Sequence, residues 1–211
     1  MGSFITFVQV RGGQILALTL EHLYLTGLAM GLAILIGVLL GILLTRFERL
    51  ATPVLGTASV IQTVPSLAIL GFLIPLLGIG FAPAIVALFL YALLPIIRNT
   101  YTGVIGVDPA IIEAAVGVGM TQRQVLTLVR LPLALSVIMA GIRTATVICV
   151  GIATLCAFIG AGGLGELIFS GISMVNANMI LAGAIPAALL ALILDFVLGR
   201  IEKMLAPKGQ K

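Results

Sequence analysis

Apolar residues run along this chain in long unbroken stretches, and the charged residues gather in the gaps between them. No charge falls between Glu21 and Arg46, and a membrane-crossing helix needs roughly 20 mainly apolar residues, so residues 23–45 are expected to cross a bilayer. From residue 50 to residue 97 there is again no charge, which is too long for one crossing. Pro75, Gly78, Gly80 and Pro83 carry turn chemistry and divide the run into spans expected at 52–77 and 81–99, joined by a tight hairpin. A fourth span is expected at 133–158, with Arg143 as its one charge, and a fifth at 179–198. Between those two, Gly160 to Gly165 and the apolar piece 167–172 read as a flexible turn followed by an interfacial or re-entrant helix.

Composition agrees with this pattern. Of the 211 residues 61% are hydrophobic and 9% charged, against about a quarter charged in soluble domains. The expectation is an all-α, polytopic membrane protein of a single domain, with about five transmembrane helices and a two-helix loop exposed to the cytoplasm. No internal repeat or low-complexity tract stands out. No cleavable signal peptide is expected, because the N-terminus lacks a basic region and the first apolar run is long enough to span.

The net charge of +4 does not indicate nucleic acid, because the basic residues sit at the ends of apolar runs and not on one aromatic-rich face. With the 108–132 loop in the cytoplasm, Arg46, Arg49, Arg98, Arg123, Arg130, Arg143, Arg200, Lys203, Lys208 and Lys211 all fall on that side, and only Arg11 is left outside. The positive-inside rule therefore puts the N-terminus outside and the C-terminus in the cytoplasm. Arg143 lies well into its span and must snorkel, pair or face a wet cavity. Asp195 lies near the cytoplasmic end of the last span and reads as an interface-level partner for Arg200. Cys149 and Cys156 are seven apart on one helical face, about 10 Å between Cα atoms, too far for a disulfide.

Small residues at Gly27, Gly31, Gly37 and Gly41 form a stripe suited to close helix packing. Gln62, Thr63, Ser66, Tyr91 and Tyr101 are the polar and phenolic positions that could line a path, although interhelical hydrogen bonding would explain each of them. His22, the one histidine, has no companions at ligand spacing and is expected at the outer mouth. No nucleophile–base pair or paired-carboxylate site is present, so the chain does not read as an enzyme, and no metal site is expected.

The densest signal is the polar interruption at 108–132. Asp108-Pro109 is a helix start, with a carboxylate N-cap and a proline whose missing N–H costs nothing at the first helical position. A short helix follows, carrying Glu113 and ending at Gly117 and Gly119. Thr121 and Gln124 have capping-box spacing and start a second short helix, which Leu131-Pro132 should end. Glu113-Ala114-Ala115, three residues, Gly119, nine residues, Val129, one residue and Leu131-Pro132 resembles the cytoplasmic coupling motif of permease subunits of ABC importers. The segments Gln62-Thr63-Val64-Pro65-Ser66-Leu67, 74–80, Leu94-Pro95-Ile96-Ile97-Arg98-Asn99-Thr100-Tyr101 and 160–166 resemble permeases for osmoprotectants such as glycine betaine, choline and carnitine.

The resemblance implies a bacterial inner-membrane subunit that couples through Glu113, Ala114, Ala115, Gly119, Arg123, Leu131 and Pro132 to a separate ATPase. It implies a second permease subunit, two ATPase subunits and an extracytoplasmic substrate-binding protein as partners. ATP and Mg would be bound by the ATPase, with no cofactor on this chain; a Gly-x4-Gly-Lys-Ser/Thr phosphate loop does not occur in the sequence. The rival readings are a permease of the same build for another small solute, such as an amino acid or a sulfonate, and a secondary carrier or channel.

Overall fold

The computed structural model describes residues 4–205, and Lys208 and Lys211 lie outside the described residues. Its elements are α1 (Phe4–Arg46), α2 (Glu48–Thr63), α3 (Ser66–Leu77), α4 (Phe81–Ile105), α5 (Pro109–Gly117), α6 (Gln122–Ile159), α7 (Gly165–Ser173) and α8 (Ala177–Leu205). Among the described residues there is no strand. Four helices, α1, α4, α6 and α8, are long and apolar enough to cross a membrane, and the bent pair α2–α3 can supply a fifth crossing.

The packing is that of a bundle sitting in lipid. Ala29, Ala33, Ala84, Ala87, Ala92, Ala145 and Ala153 are fully buried, whereas Leu35, Leu39, Leu189 and Leu192 face outward. Lipid tails are as apolar as leucine, so burying leucine gains little, and small side chains that admit close backbone approach decide the packing. The glycine stripe of α1 illustrates the point in part. A Cβ on Gly37 would lie 2.8 Å from Ile96, and one on Gly41 2.5 Å from Thr100, both on α4. Gly27 and Gly31, by contrast, face open space. Gly141 of α6 packs just as closely against Pro95 and Asn99 of α4. Leu70, Leu88 and Leu25 fill the centre where α1, α3, α4 and α6 meet.

Several expectations change. α1 begins at Phe4, not near residue 23, and its 43 residues give about 64 Å, roughly twice the hydrocarbon thickness. The expected span 52–77 is two helices bent by 97° at Val64-Pro65. The hairpin after it is made by Gly78 and Gly80, with φ of +80° and +100°, whereas Pro75 lies inside α3 and Pro83 in the first turn of α4. Nor does Leu131-Pro132 end a helix. A π-helical stretch, Val125–Arg130, widens the backbone just before the proline, and α6 runs straight on. Widening the turn makes room for the proline ring, which would otherwise strike the carbonyl of residue i−4.

The stretch after α6 is fixed in place and is not a flexible turn. Gly160, Gly162 and Gly163 hold positive φ, and the Gly163 N–H donates to Glu21 Oε2 at 3.2 Å. At the same end of the bundle the Gly80 N–H donates to the Ile159 carbonyl at 2.8 Å. α7 then lies against α6 and α8 through glycines: a Cβ on Gly165 would come within 1.9 Å of the Thr154 carbonyl, and one on Gly183 within 2.7 Å of the Leu164 carbonyl.

Candidate functional site

The segment between α4 and α6 builds itself from local rules. Asp108 Oδ1 accepts from the Ala110 N–H at 2.9 Å, with Pro109 at the first helical position. At the other end of α5, the Gly119 N–H donates to Val116 and the Met120 N–H to Ala115, with Gly119 at φ +87°. That is a Schellman cap, and it needs the left-handed conformation that glycine adopts without strain. Gly117 is the last helical residue, and Gly119 supplies the left-handed cap. Thr121 and Gln124 then form the expected capping box, Thr121 N–H to Gln124 Oε1 at 2.9 Å and Gln124 N–H to Thr121 Oγ1 at 3.3 Å.

Capped at both ends, α5 is a rigid short rod. Ala115 is buried and seats it on the bundle, where α5 lies against the Val125–Arg130 stretch. Glu113, Ala114 and Gly119 are exposed, together with Val116 and Val118, the latter 77% accessible. Leu131 and Pro132 stand a turn or more into α6, half-buried, and Arg123 lines a cleft shared with Arg46 and Arg130.

Of the candidate path residues, Gln62, Thr63 and Ser66 come together at the α2–α3 break. Tyr91 on α4 reaches them: its hydroxyl donates to the Val64 carbonyl, which the break leaves without a helical partner. Thr63 donates to the Val60 carbonyl at 2.7 Å. Tyr101 is not part of this group and packs against Leu44, Ala51 and Ile97 in a separate apolar cluster.

Sequence reasoning missed two relationships. Asp195 pairs with Arg143 of α6 and not with Arg200; Nε to Oδ1 is 2.9 Å and Nη2 to Oδ2 3.0 Å, while Nη1 donates to Glu202 at 2.9 Å. Arg200 lies instead over the Phe196 ring, 4.8 Å from its centroid. His22 is not at an open mouth but fully buried, with Nε2 3.1 Å from the Val150 carbonyl and Gly163 packed against its ring. The paired glycines 162–163 signalled a close approach but not the residue approached. Among the described residues no cluster of His, Cys, Asp and Glu could hold a metal ion.

Comparison with known proteins follows the same lines. The model of the family described as "Binding-protein-dependent transport system inner membrane component" matches residues 33–210. The chain is 50% identical over 209 residues to the glycine betaine/carnitine/choline transport system permease protein OpuCB of Bacillus subtilis, covering 99% of this chain and 96% of that one. It is 48% identical to the choline transport system permease protein OpuBB of the same organism, covering 100% and 97%. To the osmoprotectant import permease protein OsmW of Salmonella typhimurium it is 49% identical, covering 94% and 95%. In fold it is similar to a chain of the inward-facing MetNI methionine ABC transporter, with TM-score 0.81 at 23% identity over 98% of this chain and 100% of that one. The chain thus belongs to the family of inner membrane components of binding-protein-dependent transport systems, as a multi-pass permease subunit of an ABC importer and not an enzyme.

Proposed function

We propose that this chain forms the translocation path of an ATP-driven importer for quaternary ammonium osmoprotectants such as glycine betaine, choline and carnitine. Support for the cargo comes from the names of relatives near 50% identity over almost the whole chain. The observation that carries the mechanism is α5, a helix capped at both ends that turns Glu113, Val116 and Val118 away from its own bundle. A rigid rod with an uncovered apolar face transmits force, where a loose loop would absorb it. In this reading Glu113, Ala114 and Gly119 dock on a cytoplasmic ATPase, which binds the ATP and Mg, while the buried Ala115 seats α5 against its own bundle. Closure of two ATPases then swings two permease subunits, and an extracytoplasmic binding protein delivers the solute. To move such an equilibrium from 1:99 to 99:1 takes about 5.5 kcal/mol of differential binding.

The N-terminus lies outside and the C-terminus inside in this reading, consistent with Arg46, Arg98, Arg123 and Arg130 all falling on the side of α5. Gln62, Thr63, Ser66 and Tyr91 at the helix break are the positions offered to the solute. A cation without hydrogen-bonding groups needs only weak contacts there, and an aromatic face serves it well.

The test is uptake of labelled glycine betaine, choline and carnitine into proteoliposomes holding this chain with its ATPase and binding protein. ATP-dependent uptake of at least one solute, lost in Glu113→Ala while ATP hydrolysis persists, is the expected result. Uptake that proceeds downhill with no ATPase present overturns the reading. Normal uptake by the variant removes the coupling role of Glu113.

A further inference from the structure

A cleft of about 600 Å³ opens between the last turn of α1 and the start of α6, lined by Thr45, Arg46, Gln122, Arg123, Leu126 and Arg130. Three guanidiniums thus border one cavity, and none forms an ion pair with a described residue. The contrast with Arg143 is instructive, because that arginine is matched by two carboxylates. Like charges brought together without a counterion repel, so an anion that joins them is favoured there. The positive end of α6 adds to it. Its first turn, through Gln122 and Arg123, lines the cleft. A planar guanidinium fork also matches phosphate oxygens two at a time.

We propose that this cleft binds the phosphate of an anionic phospholipid headgroup. The shared chemistry is a phosphate anion; the apolar surroundings select the lipid. Leu39 and Leu43, 61% and 49% exposed, lie on the same face of α1 as Arg46 and lead up to it along the helix. Leu128, 63% exposed, lies between Arg123 and Arg130. An outward apolar stripe that ends in arginines is a side chain array for acyl tails below and a headgroup above. These leucines face lipid tails, so the arginines that end the stripe stand at the level of the headgroups. The site is independent of which solute is carried.

The test uses the assembled transporter in detergent, titrated with phosphatidylglycerol and with phosphatidylcholine of the same acyl chains, bound lipid being counted by native mass spectrometry. Phosphatidylglycerol should bind the wild type in preference. The triple variant Arg46→Gln/Arg123→Gln/Arg130→Gln should lose roughly a hundredfold in affinity and the single Arg46→Gln about fivefold, from the usual contribution of each basic residue near a lipid surface. Arg200→Gln/Lys203→Gln, which removes two cations elsewhere, should change it less than twofold. Equal phosphatidylglycerol affinity in wild type and triple variant overturns the proposal. So does full displacement of the lipid by millimolar inorganic phosphate, which would make the cleft a site for free anions. Loss of the ATPase from the lipid-free triple variant, with lipid affinity unchanged, assigns the arginines to the ATPase instead.

Discussion

Arg143 and Asp195 grip each other at two points, Nε to Oδ1 and Nη2 to Oδ2, and so tie α6 to α8 across 52 residues of sequence. Glu202 takes a third guanidinium hydrogen at 2.9 Å, and Gly199 lies close enough that a Cβ there would come within 3.2 Å of the guanidinium carbon. Removing the arginine alone leaves two carboxylates facing each other at the edge of the apolar region. Arg143→Met should therefore lower the melting temperature in detergent more than the pair Arg143→Met/Asp195→Leu does. A single variant as stable as the double would show the pair to be idle.

Gly119 and Gly117 stand two residues apart yet should answer substitution in opposite ways. Neither faces a neighbour within 4 Å, so space does not distinguish them; backbone conformation does. Gly119→Ala places a Cβ at φ +87° and should cost about 1–2 kcal/mol locally, with ATP-driven uptake falling. Gly117→Ala, in helical conformation, should firm α5 by about 1 kcal/mol and leave uptake unimpaired. Uptake assays on the two variants side by side check both signs.

Thr121→Ala removes a cap worth about 1 kcal/mol and frees Gln124 as well. Hydrogen exchange should quicken over 121–126 and stay unchanged in α4. Protection at wild-type level would mean that packing of Val125, and not the box, starts α6.

Much of this segment could be read from sequence because its rules span three or four residues. Asp108-Pro109, Thr121 with Gln124, and Gly119 each act on the neighbouring backbone, so spacing sufficed. Arg143 with Asp195 did not follow from spacing, since only the bundle brings them together; proximity along the chain pointed to Arg200. The continuity of α6 through Pro132 was hidden for a different reason. A proline normally reads as a stop, and nothing in the residues Val125–Arg130 announces the widened turn that spares it. The length of α1 escaped notice because apolar runs report where a helix meets lipid, not where the helix begins. Cys149 and Cys156 are both free and buried, as their separation required.

Val175 is the one described non-glycine residue with positive φ, at +51°, and it is β-branched and 92% exposed. It occupies the cap position after α7, where the Asn176 N–H reaches the Gly171 carbonyl at 2.8 Å. Val175→Gly should relieve about 1–2 kcal/mol of backbone strain and raise the melting temperature. A fall would show that the side chain is held by a contact outside this chain.

Gly41→Ala should be far more damaging than Gly27→Ala in the isolated chain. At Gly41 the added methyl meets Thr100 Cβ at 2.5 Å and the Ile97 carbonyl at 3.0 Å, an overpacking cost of about 1–3 kcal/mol; at Gly27 it meets nothing. Melting temperatures of the two variants separate these cases.

Because α6 is unbroken from Gln122 to Ile159, the α5 end and the far end of the bundle are joined by one helix about 57 Å long. Arg143 ties it to α8, with 21 residues or about 32 Å on the Gln122 side and 16 residues or about 24 Å beyond. A tilt of about 10° there carries Ile159 sideways by roughly 4 Å, from the helical rise alone. Ile159 holds the turn before α4 through Gly80, and Gly163, just past it, holds Glu21 of α1. A rotation begun at the Gln122 end would reach these two contacts reduced only by the ratio of the arms, about 24 Å to about 32 Å, and would strain both together.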